Sequence, residues 1–315
     1  SGNKYKKESY SYALDQYLLV YGVYLVSRYW LKSFNPKAIV FANHSNPIAR
    51  TIHRAATHGK IKTIFFQHST LNKAQPRLDF NYIFLHGEAD LRKIKYTKSK
   101  IFLTGSQKLD QHINKVKQNI NIGTIGVCIN GVDPTERIVE LLLLTIELFP
   151  EYIIKIRPHP SDKRANDFRR LAEEYLIEFS DPCSEDAIDY IKEVDVLIAG
   201  DSSILLEAIY FNTIPLIYDF ENNHCDRYSY IENKMVNYNN SVGGLIDNLK
   251  YEILNHENSV RHKAKDYLIT IDTKWEGEVV HLLQLTLQFL IYKDVDNYNL
   301  WSKKKVNGLV VYEPS

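Results

Sequence analysis

Ile153-Ile154-Lys155-Ile156-Arg157-Pro158-His159-Pro160-Ser161 runs from an apolar strand into a proline-bracketed histidine and a polar helix start. Further on, Val194-Asp195-Val196-Leu197-Ile198-Ala199-Gly200-Asp201-Ser202-Ser203 leads directly into Ile204-Leu205-Leu206-Glu207-Ala208, a buried strand, a hydroxyl-rich turn and a helix. In an α/β sheet such turns lie at the carboxyl ends of parallel strands, where ligands bind. The helix behind each turn offers unsatisfied N–H groups and the positive end of its dipole. Two such turns in one half of a chain imply an anionic, nucleotide-like ligand.

The same alternation extends in both directions. Toward the N-terminus, strands are expected at 38–42, 62–67, 81–85 and 100–104, with a helix at 48–58 and a long Tyr/Leu-rich helix at 9–32. Each strand ends in polar residues: Asn43-His44-Ser45, His68-Ser69-Thr70, His86-Gly87-Glu88 and Gly105-Ser106. Residues 108–121 are polar without an apolar period and read as an interdomain connection. Beyond them, strands are expected at 123–129, 152–157, 194–199 and 214–218. Helices are expected at 134–148, 163–175, 203–210, 245–255, 262–268 and 276–292. Strands alternating with helices mean parallel βαβ units.

The 315 residues suffice for two domains. The expected division is a Rossmann-like N-terminal domain at 1–115, a Rossmann-like domain at 122–275, and a C-terminal helix and tail at 276–315. For that tail, a return to the N-terminal domain is left open. A hydrophobic content of 44% with 24% charged residues describes a globular protein with real cores. A net charge of +1 supplies no field to draw a polyanion, so nucleic acid is not an expected partner. Three dispersed cysteines without a CxxC pair argue against a disulfide framework or a zinc site, and a reducing cytoplasm fits.

No cleaved leader is expected from the basic, polar N-terminus. The apolar run near it is too short to span a bilayer, which needs ~20 residues. The aromatic-rich segments 17–30 and 279–292 are expected to be packed core helices, with association at a membrane surface as the other reading. Ser1-Gly2-Asn3 reads as an expression scar, and the chain is open to being a piece of a larger polymerase.

Taken together, Arg157-Pro158-His159-Pro160, Asp201-Ser202-Ser203 with Glu207, and Ile214-Pro215-Leu216-Ile217-Tyr218 resemble the C-terminal half of bacterial GT-B glycosyltransferases of surface-polysaccharide pathways. Two groups look similar: HP-motif transferases using CMP-activated acidic sugars such as sialic acid or Kdo, and CDP-glycerol or CDP-ribitol transferases of teichoic-acid type. In the N-terminal half, Phe66-Gln67-His68-Ser69-Thr70 is similar to their Gln-His-Gly element, with Ser in the Gly position. The resemblance spans roughly residues 38–220. The acidic Gly motif that supplies the base in some sialyltransferases is missing.

The resemblance implies an α/β protein of GT-B architecture, with two parallel-sheet Rossmann-like domains, a deep interdomain cleft and C-terminal helices. It also implies an inverting, metal-independent glycosyltransferase. Such an enzyme moves a sugar, or a polyol phosphate, from a CMP- or CDP-linked donor to a cell-surface glycan or lipid-linked glycan. A UDP-linked donor is the second option. No cofactor beyond the donor is implied. The implied setting is the cytoplasm or the inner face of the cytoplasmic membrane.

His159, between two prolines that restrict the backbone, is the expected partner of the leaving phosphate. Arg157 could add charge there or pair with a carboxylate. Ser202 and Ser203 can cap the following helix and hold phosphate. Glu207, one turn on, is expected to take the ribose hydroxyls, and Asn130-Gly131 is a turn that could approach the donor. His68 is the favoured acceptor base, since imidazole titrates near neutrality; Glu88 and His44 are its rivals. Asn43, His44 and Ser69 are acceptor-side candidates. His224-Cys225-Asp226 is rejected as a metal site, because adjacent residues rarely face one ion.

Two other functions remain open at the level of sequence. One is a UDP-N-acetylglucosamine 2-epimerase-like enzyme, although Ser203-Ile204 stands where such proteins carry Gly-Gly. The other is a non-catalytic GT-B module that binds glycan or nucleotide.

Overall fold

Short apolar runs rich in Ile, Val and Phe build two six-stranded sheets in the computed structural model, which describes residues 13–95, 97–292 and 299–315. The first holds β1 (Ala38–Phe41), β2 (Lys62–Phe66), β3 (Tyr82–Leu85) and β4 (Lys100–Leu103), adjacent in that order and all parallel. The second holds β5 (Thr124–Ile129), β6 (Ile153–Pro158), β7 (Glu178–Phe179), β8 (Val196–Ala199), β9 (Ile214–Tyr218) and β10 (Tyr238–Asn239). Its order is β10-β9-β8-β5-β6-β7, and each neighbouring pair is parallel. The connections include helices at Pro47–His58, Thr135–Leu148, Ala165–Glu174 and Ile204–Tyr210, as the alternating pattern expected.

Two compact units result, Ser1–Gly105 with Val280–Ser315, and Ser106–Val279. The chain returns to the first sheet through β11 (Trp301–Val306) and β12 (Leu309–Pro314); β12 adds parallel to β4 and β11 closes the edge antiparallel to β12. These strands are joined by Asn307-Gly308, both at positive φ (49° and 80°), the backbone that a two-residue hairpin turn requires. Trp301 and Tyr312 pack against Phe102 of β4, with ring centroids 4.9 and 4.7 Å away.

Several details depart from the sequence reading. The polar segment 108–121 is ordered inside the second unit. Its Leu109 and Ile120 are buried, Lys115 and Lys117 pair with Asp189 and Asp195, and Asp110 accepts the backbone N–H groups of Gly277 and Val279. The helix expected at 262–268 shrinks to one 3-10 turn, Arg261–Ala264. The short β7 and β10 and the helix Ala187–Glu193 carry too little periodicity to be seen in sequence.

The largest departure is the N-terminal helix, Leu14–Phe34, which has no buried residue at all. Leu18, Tyr21, Tyr29 and Trp30 stay 55–72% exposed on it, so it is not the core helix expected from its apolar character. The part of that expectation at 9–12 lies outside the described residues. The helix Val279–Tyr292, by contrast, buries Val279, Leu282 and Leu290 as expected.

Candidate functional site

The second sheet has a switch point at β5. The chain leaves β5 for β6 on one side and crosses back to β8 on the other, so the turns after β5 and β8 diverge and leave a crevice. A cavity of about 620 Å³ opens there, lined by the turns that follow β5, β6, β8 and β9. The two turns that anchored the sequence reading therefore share one crevice within a single unit.

His159 follows the end of β6 and is exposed to this cavity. Its Nδ1 accepts the backbone N–H of Ser161 at 3.1 Å and lies 2.7 Å from the Ser161 hydroxyl. An Nδ1 that accepts an N–H carries no proton, so the neutral ring keeps its proton on Nε2 and offers that N–H to a ligand. Arg157 lines the same cavity but is 5% exposed, and its guanidinium is committed elsewhere. It donates to the Ser180 hydroxyl at 2.6 Å and to the Glu185 carbonyl at 2.8 Å. Of the two sequence alternatives for Arg157, this geometry matches the structural tie, with the Glu185 carboxylate 3.7 Å away.

Across the cavity, Ser202 and Ser203 precede the helix Ile204–Tyr210. Their hydroxyls do little capping, contrary to expectation. Ser203 sits at the N-cap position without a side-chain bond, and Ser202 Oγ takes only a 3.5 Å contact from the Ile204 N–H. Both hydroxyls thus keep donor capacity. Glu207 is one turn further, and its carboxylate pairs with Lys108 Nζ at 2.8 Å. Lys108 lines the cavity too, although in sequence it sat inside an apparent linker.

The rest of the wall is tightly braced. Arg164 grips Asp162 with two nitrogens and donates to the carbonyls of Asn130 (2.8 Å) and Asp133 (2.7 Å), tying the turn after β5 to the loop after β6. Asn130-Gly131 therefore lines the cavity as a turn whose first carbonyl is already used. The buried Asp133 accepts the Asn130 N–H, and burial pushes its carboxyl up to about 6. Asp201 accepts the Arg227 N–H through Oδ2. Its Oδ1 is buried without a hydrogen-bond partner, and burial raises its pKa above the usual carboxylate range.

His224, Cys225 and Asp226 disperse their polar atoms toward Tyr238, Arg227 and the backbone of Ile231 and Glu232. Among the described residues no group of three or more His, Cys, Asp and Glu could hold a metal ion.

In the first unit, His44, His68, His86 and Glu88 follow the carboxyl ends of β1, β2 and β3. His68 and Ser69 are exposed. Their loop is pinned by the buried Gln67, which donates to the Ser69 carbonyl and to Asp90 while its Oε1 accepts the His86 N–H at 2.8 Å. Complete burial holds the His86 imidazole down at about 4, hence uncharged. Glu88 is paired with Lys304 of β11 at 2.9 Å, and that bond lowers its pKa and weakens it as a base. Asn43 spends its side-chain oxygen on the N–H groups of Ser45 and Asn46, a local turn that sets up the Asn46 cap of the next helix. His44 is half-buried against Phe65, and desolvation lowers its pKa.

Comparison with protein-family models yields no match, and comparison with curated proteins yields none either. Solved structures do match over most of the chain. A UDP co-structure of MnaA from S. aureus is 14% identical, with 87% of this chain and 81% of that chain covered at a TM-score of 0.55. UDP-GlcNAc 2-epimerase from Neisseria meningitidis, bound to UDP-GlcNAc, is 12% identical, covering 86% and 81% at a TM-score of 0.58. A structure of the wall teichoic acid polymerase TagF soaked with CDPG is 11% identical, covering 81% and 73% at a TM-score of 0.54. At such identities the likeness is one of fold. The chain has the GT-B fold, two Rossmann-like units built on parallel sheets.

Proposed function

We propose that this protein is an inverting, metal-independent glycosyltransferase that moves a sugar, or a polyol phosphate, from a cytidine-nucleotide donor to a cell-surface glycan. One observation carries the reading: the His159 imidazole and the Ser202 and Ser203 hydroxyls line a single cavity, with Glu207 beside them. The donor phosphate sits between His159 and the two serines, where N–H and O–H donors replace the water it loses. Glu207 takes the ribose hydroxyls, with Lys108 balancing its charge. The orphaned Oδ1 of Asp201 receives a donor group of the ligand. Solved structures of this fold include a UDP co-structure, one bound to UDP-GlcNAc and one soaked with CDPG, which supports a nucleotide-activated donor here.

In the transfer step the acceptor oxygen bonds to the donor's anomeric carbon as the bond to the phosphate oxygen breaks, and the phosphate leaves with the electron pair. Charge grows on that phosphate, so the donor from His159 Nε2 strengthens in the transition state. Removal of the acceptor proton is assigned to His68, whose imidazole is exposed. The exposed Leu14–Phe34 helix, with Tyr and Trp beside Arg28 and Lys32, supports peripheral association with a membrane carrying a lipid-linked acceptor.

A thermal-shift panel tests the donor class. CMP and CDP raise the melting temperature, UDP less, ADP and NAD not at all. Stabilisation by ADP or NAD alone contradicts the assignment.

A second reading is favoured by the 2-epimerases among the structural neighbours. Incubation with UDP-GlcNAc and no acceptor separates the two. An epimerase changes the sugar's stereochemistry under those conditions and a transferase does not.

A further inference from the structure

The first unit contains a second large cavity, of about 820 Å³, on the flank of the helix Pro47–His58. One wall is a single face of that helix, where Arg50, His53, Arg54 and Thr57 recur at the spacing of one turn. The other wall comes from the amino-terminal ends of β2, β3 and β4, including Thr63, Asn81 and Lys98 to Lys100. Arg50, Arg54, Arg77, Lys98 and Lys100 give the cavity five cationic side chains against the one carboxylate of Asp79, which Arg77 engages at 3.0 Å. The whole chain carries a net charge of only +1, so this concentration of positive charge is local.

Two imidazole edges deepen the same wall. The Nε2 atoms of His44 and His53 are buried without a hydrogen-bond partner, although both rings line the cavity. His53 packs between Phe41 and Phe80, with ring centroids 5.6 and 4.3 Å away. Buried polar atoms left unpaired are costly unless a ligand or ordered water meets them. A concave surface of one sign focuses its field and concentrates the opposite charge. Its volume lies within the usual range of ligand pockets, roughly 300–1,000 Å³.

We propose that this groove is a second anion site, distinct from the cavity lined by His159, and that it binds a phosphate-bearing polyanion such as a pyrophosphate or a short phosphodiester chain. Arg50, Arg54 and Lys98 hold the phosphates, and the His44 and His53 edges meet polar groups at the floor. The assignment is independent of the donor reading, because no residue of the His159 cavity takes part.

The test titrates the full chain with sodium tripolyphosphate by calorimetry, and in parallel sediments it with vesicles bearing a pyrophosphoryl lipid. The charge-reversed double variant Arg50→Glu/Lys98→Glu changes exposed side chains, and circular dichroism checks its fold. Binding to one or both probes is expected to persist in His159→Ala, and in that background to be weakened at least tenfold by the double variant and by added salt. Loss with vesicles identifies a lipid headgroup as the source; loss with tripolyphosphate alone identifies a soluble one. Binding to neither probe, binding indifferent to the charge reversal, or binding abolished by His159→Ala each overturns the proposal.

Discussion

Lys108 Nζ lies 2.8 Å from Glu207 Oε1 at the mouth of the His159 cavity, joining a residue from the start of the second unit to a helix that follows its serine turn. With Lys108 half exposed, the pair contributes little to stability, about 0–1 kcal/mol. In the proposed donor reading, its value is in fixing the carboxylate assigned to the ribose. Lys108→Ala should leave the melting temperature nearly unchanged while weakening cytidine nucleotide binding several-fold in calorimetry. A large loss of stability with unchanged affinity would reverse that assignment.

His159 is exposed and its imidazole bonds to Ser161 of its own turn, while its backbone N–H to Ile129 survives substitution, so replacing it should not disturb the fold. His159→Ala should reduce kcat by ~10²-fold or more if the imidazole acts as general acid. Single-turnover kinetics with a saturating donor reads this directly, and an unchanged rate removes His159 from the chemical step.

Asp133 gives a pH signature. Burial raises its carboxyl to about 6 from 3.8, so the folded state holds its proton more tightly than the unfolded chain does. Its contribution to stability is therefore fully present below pH 4 and is lost as pH rises toward and through 6. At neutral pH the shift corresponds to a cost of up to about 3 kcal/mol. Asp133→Asn retains an oxygen for the Asn130 N–H without the charge. Its stability advantage over the parent should grow between pH 4 and 6 and level off above 7 in denaturant titrations. A difference flat across that window contradicts the buried-charge argument.

Gly126 in β5 marks a close approach. A Cβ there would come within 2.6 Å of the Tyr190 hydroxyl and 2.8 Å of Val194 Cγ1. Tyr190 is fully buried and its hydroxyl donates to the Lys155 carbonyl at 3.0 Å, so it has nowhere to move. Gly126→Ala should cost about 1–3 kcal/mol by overpacking. Equilibrium unfolding in urea measures it.

Much of this was legible in the sequence because parallel strands buried on both faces read as unbroken apolar runs with polar turns at their carboxyl ends. Val196 to Ala199 is of this kind, and Ile153 to Ile156 is interrupted only by Lys155, so both turns that share the cavity are marked in the sequence. What escaped has physical causes. Lys108 and Arg164 are single polar residues in polar surroundings, and only three-dimensional proximity gives them a role. Arg157 stays open in sequence between a phosphate and a carboxylate because its partners Ser180 and Glu185 are distant along the chain. The N-terminal helix has the Leu and Tyr content of a core helix, yet apolar composition does not say which surface covers a helix. The closing hairpin carries its own signal in Asn307-Gly308 between two short runs, a pair favoured in two-residue turns.

The most direct measurement is a crystal structure of the full chain with CDP. Phosphate oxygens within hydrogen-bonding distance of His159 Nε2 and of the Ser202 and Ser203 hydroxyls, with the ribose at Glu207, are the expected result. A nucleotide bound elsewhere, with that cavity empty, contradicts the assignment.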